Sequence, residues 1–309
     1  MINNILHKTL IAITNNTDDT FDWYTPLTFT AQEAKSTIRL TYSSSPNIDG
    51  LEYITNINSD WSTYTINTTI TLTKIGDYVQ FQNTNTELST SLTDYVYFVM
   101  SGKIAASGNI QSMLNYLTFC TPYCYTNMFA RCDSLITAPE LPATNLASFC
   151  YYHMFSRCTS LTTAPELPAP NVADSCYLSM FFNCTALENA PTLPAITLTE
   201  FCYRHMFDGC TSLTTVMPEL PATNLAKHCY DGMFRDCTSL RTAPTLPATN
   251  LVTACYSAMF DGCSGLITAP ELPAPTLTDD CYSSMFSGCK SLNYIKVGFT
   301  DWNERIWNC

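Results

Sequence analysis

From Cys124 to Cys289 the apolar positions recur in one order, C-Y-x-x-M-F-x-x-C-x-x-L-x-x-A-P-x-L-P-A-x-x-L, seven times over. The first cysteines are Cys124, Cys150, Cys176, Cys202, Cys229, Cys255 and Cys281, spaced 26 residues apart except for one step of 27 that contains an extra Met217. A fixed period of this length makes each unit one supersecondary element stacked on the next, a solenoid. Its apolar positions are buried between neighbours and the rest forms a long regular surface, which suits binding better than catalysis.

With the first cysteine counted as position 0, Cys124, Tyr125, Met128 and Phe129 stand at positions 0, 1, 4 and 5, the spacing of one face of a short helix. Position 7 carries Arg131, Arg157, Asn183, Gly209, Asp236, Gly262 and Gly288, a set leaning toward residues that tolerate a left-handed turn, so the helix should end before the second cysteine. Leu135, Ala138 and Leu141 follow with Pro139 and Pro142 between them, and proline supplies no ladder donor, so only a strand of a few residues is expected there.

Before the repeats the pattern changes to short β-rich runs, from Leu27, Ser36, Leu51, Ser62 and Asp77, broken by SSSPNIDG, NINSD and KIG. This predicts an antiparallel, immunoglobulin-like β-sandwich with Trp61, Tyr53, Tyr78 and Phe81 as core candidates. ITNINSDWSTY resembles an Asp-box hairpin with its aspartate and glycine disturbed by Asn58 and Ser59; even an intact box is structural. Gly102-Lys103 lacks the upstream glycine of a phosphate loop.

Composition sharpens the division, because all 16 cysteines lie at or after Cys120. The net charge is -12 with 13% of residues charged, which argues against broad nucleic-acid binding. The first 21 residues lack a convincing secretion signal, and no run approaches the ~18 apolar residues of a membrane span. No membrane insertion is therefore expected, and export would need another route such as release within a virion.

Fourteen cysteines form the two columns Cys124, Cys150, Cys176, Cys202, Cys229, Cys255, Cys281 and Cys132, Cys158, Cys184, Cys210, Cys237, Cys263, Cys289. Buried thiol ladders, with each cysteine acting as a small hydrophobe, are the favoured reading. Disulfides remain open, although eight residues of continuous helix would set the two columns roughly 12 Å apart. Cys150-x-x-His153 and Cys202-x-x-His205 have zinc-like spacing, but the other repeats place Asn127, Ser179, Gly232, Ala258 or Ser284 there, so neither metal nor cofactor is expected.

MFSRCTSL, MFDGCTSL and MFRDCTSL carry a Phe-x-x-Cys-x-x-Leu core that resembles the BspA-like leucine-rich repeat family over about residues 120–295. The resemblance implies a mixed α/β fold class, in which the β-sandwich precedes a right-handed solenoid of short helices and very short parallel strands. It also implies a non-enzymatic surface, adhesion or virion role. The expected divisions are an extension at 1–24, the sandwich at 25–110, the repeats at 111–295 and a cap at 296–309 built on Tyr294, Phe299, Trp302 and Trp307.

Comparing the repeats with one another separates scaffold from variable surface. Positions 2 and 3, the residues just before the first cysteine, and position 6 vary freely, and they supply Phe149, Tyr152, His153, Phe182, Phe201, Arg204, His205, Lys227, His228 and Arg235. Aromatic and arginine side chains on a rigid array have the composition of an interaction hot spot, so these are the candidate partner-binding residues. Glu140, Glu166, Glu219 and Glu271, interrupted by Thr192 and Thr245, read as a solvated edge rather than a calcium row. No nucleophile motif, phosphate loop or isolated acid pair supports an enzyme. The expected partner is a protein or glycan on a cell surface, or other virion proteins; the expected location is the virion or, alternatively, the cell surface.

Overall fold

A computed structural model describes residues 22–44, 49–216 and 219–300, so most of the expected 1–24 extension, together with Met217, Trp302, Trp307 and Cys309, lies outside the described residues. Alternating burial shapes the first part. Strands β1 (Leu27–Ala31), β2 (Ser36–Tyr42), β3 (Leu51–Thr55), β4 (Ser62–Thr63), β5 (Ile70–Leu72), β6 (Tyr78–Asn83), β7 (Val96–Ser101), β8 (Ile104–Ser107) and β9 (Leu135–Thr137) form two sheets, ordered β4-β3-β6-β1-β8-β9 and β5-β2-β7. Their inward residues share one core, in which Phe29 meets Phe98 and Phe81 edge-on at 4.8 and 6.0 Å. Of the core candidates, Phe81 is fully buried and Tyr53 packs against the core from its edge. Trp61 is only half-buried and Tyr78 is exposed, while Tyr64, at 4% exposure, fills the interior with its hydroxyl on the Thr68 carbonyl.

The mixed α/β expectation is corrected here: among the described residues there is no α-helix, only one 3-10 turn at Ile110–Leu114, and the repeats are stacks of turns and bridges. The backbone explains why. Left-handed φ occurs at three positions of every repeat, four residues apart: Tyr123, Asn127 and Arg131 in the first, Phe149, His153 and Arg157 in the second, and onward to Asp280, Ser284 and Gly288. A left-handed residue every four positions breaks the i to i−4 ladder that a helix requires. Donors alternate instead. Thr126, Met128 and Ala130 N–H groups bond three residues back within their repeat, whereas Tyr125, Asn127, Phe129 and Arg131 N–H groups bond to Cys150, Tyr152, Met154 and Ser156 carbonyls of the next repeat at 2.7–2.9 Å.

Positions 0, 1, 4, 5 and 8 still face inward, although turns rather than a helix put them there. Phe98 of β7 begins a column of parallel rings that continues through Phe129, Phe155, Phe181, Phe207, Phe234, Phe260 and Phe286, with neighbouring centroids 5.3–5.8 Å apart. A second column runs from Tyr125 to Tyr282 and ends under Phe299, whose ring lies 6.2 Å away. Each second cysteine donates its thiol to the phenylalanine carbonyl one repeat earlier, as in Cys158 to Phe129 and Cys184 to Phe155, both 3.0 Å. No disulfide joins any described cysteine. Further along the repeat, prolines reduce the expected strand to single parallel bridges such as Thr137 to Thr163 and Thr163 to Asn189; among the described residues only the first repeat keeps a three-residue strand, β9, paired parallel with β8. The sheet of the amino-terminal part thus runs directly into the repeats.

At the carboxyl end Leu272 exchanges backbone bonds with Lys296 and Gly298, and Phe299 is 4% exposed, while Tyr294 stays exposed. Removing residues after Lys296 uncovers Tyr282, so a loss of about 3 kcal/mol or more is expected. Urea unfolding of the truncated chain measures it, and an unchanged midpoint would reject a closing role for Phe299.

Burial pushes the thiols of the two columns up, Cys176 and Cys184 to about 12, so they remain protonated at neutral pH. The unfolded chain ionises first above the ordinary thiol value of 9.0, so it binds fewer protons than the native state there and stability falls as pH rises. The expected slope is about 1.4 kcal/mol per pH unit for each fully buried thiol. Melting followed from pH 8 to about 10 tests this, and a flat profile contradicts buried free thiols. At pH 7.5 or so, the native chain should react with iodoacetamide chiefly at half-buried Cys289 among the described cysteines.

Candidate functional site

The sequence-predicted residues lie along one variable edge of the stack, carried by the left-handed turns. Because these turns hold the backbone of each repeat beside the same residues of the next, one position in successive repeats forms a column. Lys227 is exposed and the other nine candidates are half-buried. Rings of Tyr123, Phe149, Tyr152, His153 and Phe182 follow one another with centroids 5.2, 5.9, 4.2 and 6.4 Å apart. Farther along, Phe201 stacks on His228 at 5.1 Å and carries the Arg204 guanidinium 5.6 Å from its centroid.

The arginines of the edge divide into two groups. Arg204 and His228 both reach Asp231 at 3.0 Å, and Asp208 receives His205 at 3.0 Å and Arg235 at 2.7 Å. Asp208 is 2% exposed and Asp231 is 8% exposed, so these contacts neutralise buried carboxylates. The His205 Nδ1 to Asp208 contact is close but misaligned for a hydrogen bond, as is Arg204 Nε to Asp231. Both aspartates were missed as site residues. Their signal was present, because Arg204 and Asp231 share position 2 and Asp208 and Arg235 share position 6, in adjacent repeats. Gly232, with φ of +60°, stands where a Cβ would press on the His205 ring, so glycine there leaves the imidazole room beside Asp208.

The second group is different. Arg131 and Arg157 occupy position 7 of adjacent repeats at φ of 65° and 63°, both exposed, and among the described residues neither forms an ion pair. They border a cleft of about 430 Å³ between the repeats and the amino-terminal part, whose other lining includes Tyr95, Tyr97, His153 and Phe182. Desolvation lowers His153 to about 4, with Arg157 and His205 adding to the shift, so its imidazole is neutral at pH 7. Sequence reading included His153 and Phe182 but missed both arginines and both tyrosines.

The carboxylates Glu140, Glu166, Glu219 and Glu271 are exposed, and Glu271 pairs with Lys296 at 2.7 Å. Glu140 and Glu166 border a proline-lined groove of about 340 Å³. Among the described residues no cluster of His, Cys, Asp and Glu is placed to hold a metal ion, and no helix is long and apolar enough to cross a membrane.

The family model described as BspA type leucine rich repeat region matches residues 124–266 and 202–306, with six copies. The chain belongs to the BspA-type leucine-rich repeat family. Repeat regions of this type are generally non-enzymatic binding elements, typically of extracellular and cell-surface proteins. A T. pallidum leucine-rich repeat protein of known structure is similar over 62% of this chain and 83% of its own, at 18% identity and a TM-score of 0.37. No curated protein matches the chain.

Neutralising Asp208 by Asp208→Asn leaves Arg235 without its counter-charge. Because Arg235 is partly solvated, the expected cost is about 1–3 kcal/mol rather than that of a fully buried pair. Guanidinium unfolding of the variant gives the value. A cost below ~0.3 kcal/mol would place the pair among solvent-screened surface contacts.

Proposed function

We propose that this BspA-type chain is a non-enzymatic attachment protein whose variable edge, residues 149–235, binds a protein or glycan on a cell surface. The observation that supports it is the pair of runs of half-buried rings along that edge, Tyr123 to Phe182 and Phe201 with His228, on a scaffold that repeats its interior almost unchanged. Rigid aromatic side chains lose little freedom on binding and supply much contact energy. In this reading the 25–110 part is a platform, 111–295 the binding stack and 296–309 its closing end. The net charge of -12 disfavours nucleic acid as the partner.

A place on a virion, as a fibre or decoration protein, is the finer reading; a bacterial surface adhesin uses the same chemistry. Co-sedimentation of the chain with purified phage particles supports the first, and recovery in the cell-envelope fraction supports the second.

Arg204 and Arg235 are engaged with Asp231 and Asp208, so the informative variant spares them. Phe149→Ala, Tyr152→Ala and Phe201→Ala together should lower attachment to cells by a factor of about 30 or more, or ~2 kcal/mol. A parallel variant changes Glu140, Glu166 and Glu271 to glutamine. Normal attachment by the aromatic variant, with loss in the glutamine variant, would move the binding surface to the carboxylate row.

A further inference from the structure

Arg131 and Arg157 carry charges that no described side chain pairs. Two like charges in one column of adjacent repeats repel. Elsewhere the stack sets an arginine against an aspartate of the adjacent repeat, as Arg204 with Asp231 and Arg235 with Asp208. Beside Arg131 and Arg157 the column supplies no such carboxylate, the next position 7 being Asn183, and the two guanidiniums instead border the 430 Å³ cleft.

We propose that this cleft is a binding site for an acidic saccharide, a sugar ring bearing a carboxylate. The proposal rests on the attachment reading above and gives it a ligand class at a second place, the junction between β7 and the first repeats. The cleft has the volume of a small-ligand pocket. Tyr97 projects from the outer side of β7 beside Tyr95, their rings 5.8 Å apart and inclined by 51°, and Phe182 lies across the cleft. Flat aromatic faces pack against the apolar C–H face of a sugar, and the guanidinium fork takes a carboxylate through two parallel hydrogen bonds. Arg157 is held 6.0 Å over the Phe182 ring, which presents its charge in a defined place. Neutral His153 adds a hydrogen-bonding group for a hydroxyl without adding charge.

The overall charge of -12 selects the size of the ligand. A long polyanion lying across the surface meets repulsion outside the cleft, whereas one acidic sugar fits within it. An acidic peptide has the carboxylate but not the ring that the aromatic walls accommodate.

The test is isothermal titration of the full chain with sialyllactose, a glucuronate-containing disaccharide, neutral lactose and an aspartate-rich pentapeptide. At least one acidic saccharide should bind, with lactose and the peptide weaker by about tenfold or more. Arg131→Gln and Arg157→Gln, separately and together, should each weaken acidic-saccharide binding roughly tenfold with melting temperature retained, and Tyr97→Ala should weaken it as well. If neither acidic saccharide binds, or if lactose or the peptide binds as tightly, the proposal is overturned. Cell attachment of the same arginine variants separates the two readings. Attachment that depends on Phe149, Tyr152 and Phe201 while no saccharide binds leaves the edge reading standing and removes this one.

Discussion

The left-handed residue at every fourth position of the C-Y-x-x-M-F-x-x-C segment is the constraint on which the stack depends. It prevents a helix from consuming all its own donors and turns alternate N–H groups outward to the next repeat. The cost is real, since most of these positions are not glycine. It is balanced by burial on the same segment, where cysteine, tyrosine, methionine and phenylalanine all fall inside. The hydrogen bonds also fix the distance and direction between repeats, which is what allows two columns of rings to lie parallel.

That column geometry governs the surface as well as the interior. A charge at a given position lies next to whatever the neighbouring repeat carries there, so the variable edge is a set of pairwise choices. Arg204 above Asp231 and Asp208 beside Arg235 are charge-paired choices, which leave less charge free for a partner. Arg131 and Arg157 are the opposite choice. Arginines that are ion-paired and arginines that are not therefore occupy different regions of one surface.

The period, the buried positions and the family were legible because seven copies repeat the same apolar spelling. The helix was misread because positions 0, 1, 4 and 5 suit an inward helical face and a series of inward turns equally well. A signal against the helix was available: no valine, isoleucine or threonine occupies any left-handed position, in a chain otherwise rich in threonine. Tyr95 and Tyr97 could not be placed from sequence, because their approach to Arg131 depends on how β7 meets the first repeat, a long-range packing outcome. The buried aspartates were readable in principle, by comparing columns between adjacent repeats instead of inspecting each repeat alone.

Phe98 and Phe299 cover the two ring columns with the same chemistry that the repeats use among themselves. An inserted or deleted unit would therefore meet matching partners on both sides, leaving either end undisturbed. Near-identical tandem stretches are also where recombination misaligns. A gene of this design can lengthen or shorten its product by whole units and reshuffle the column neighbours at the surface in the same event, so binding preference changes without the interior being reinvented.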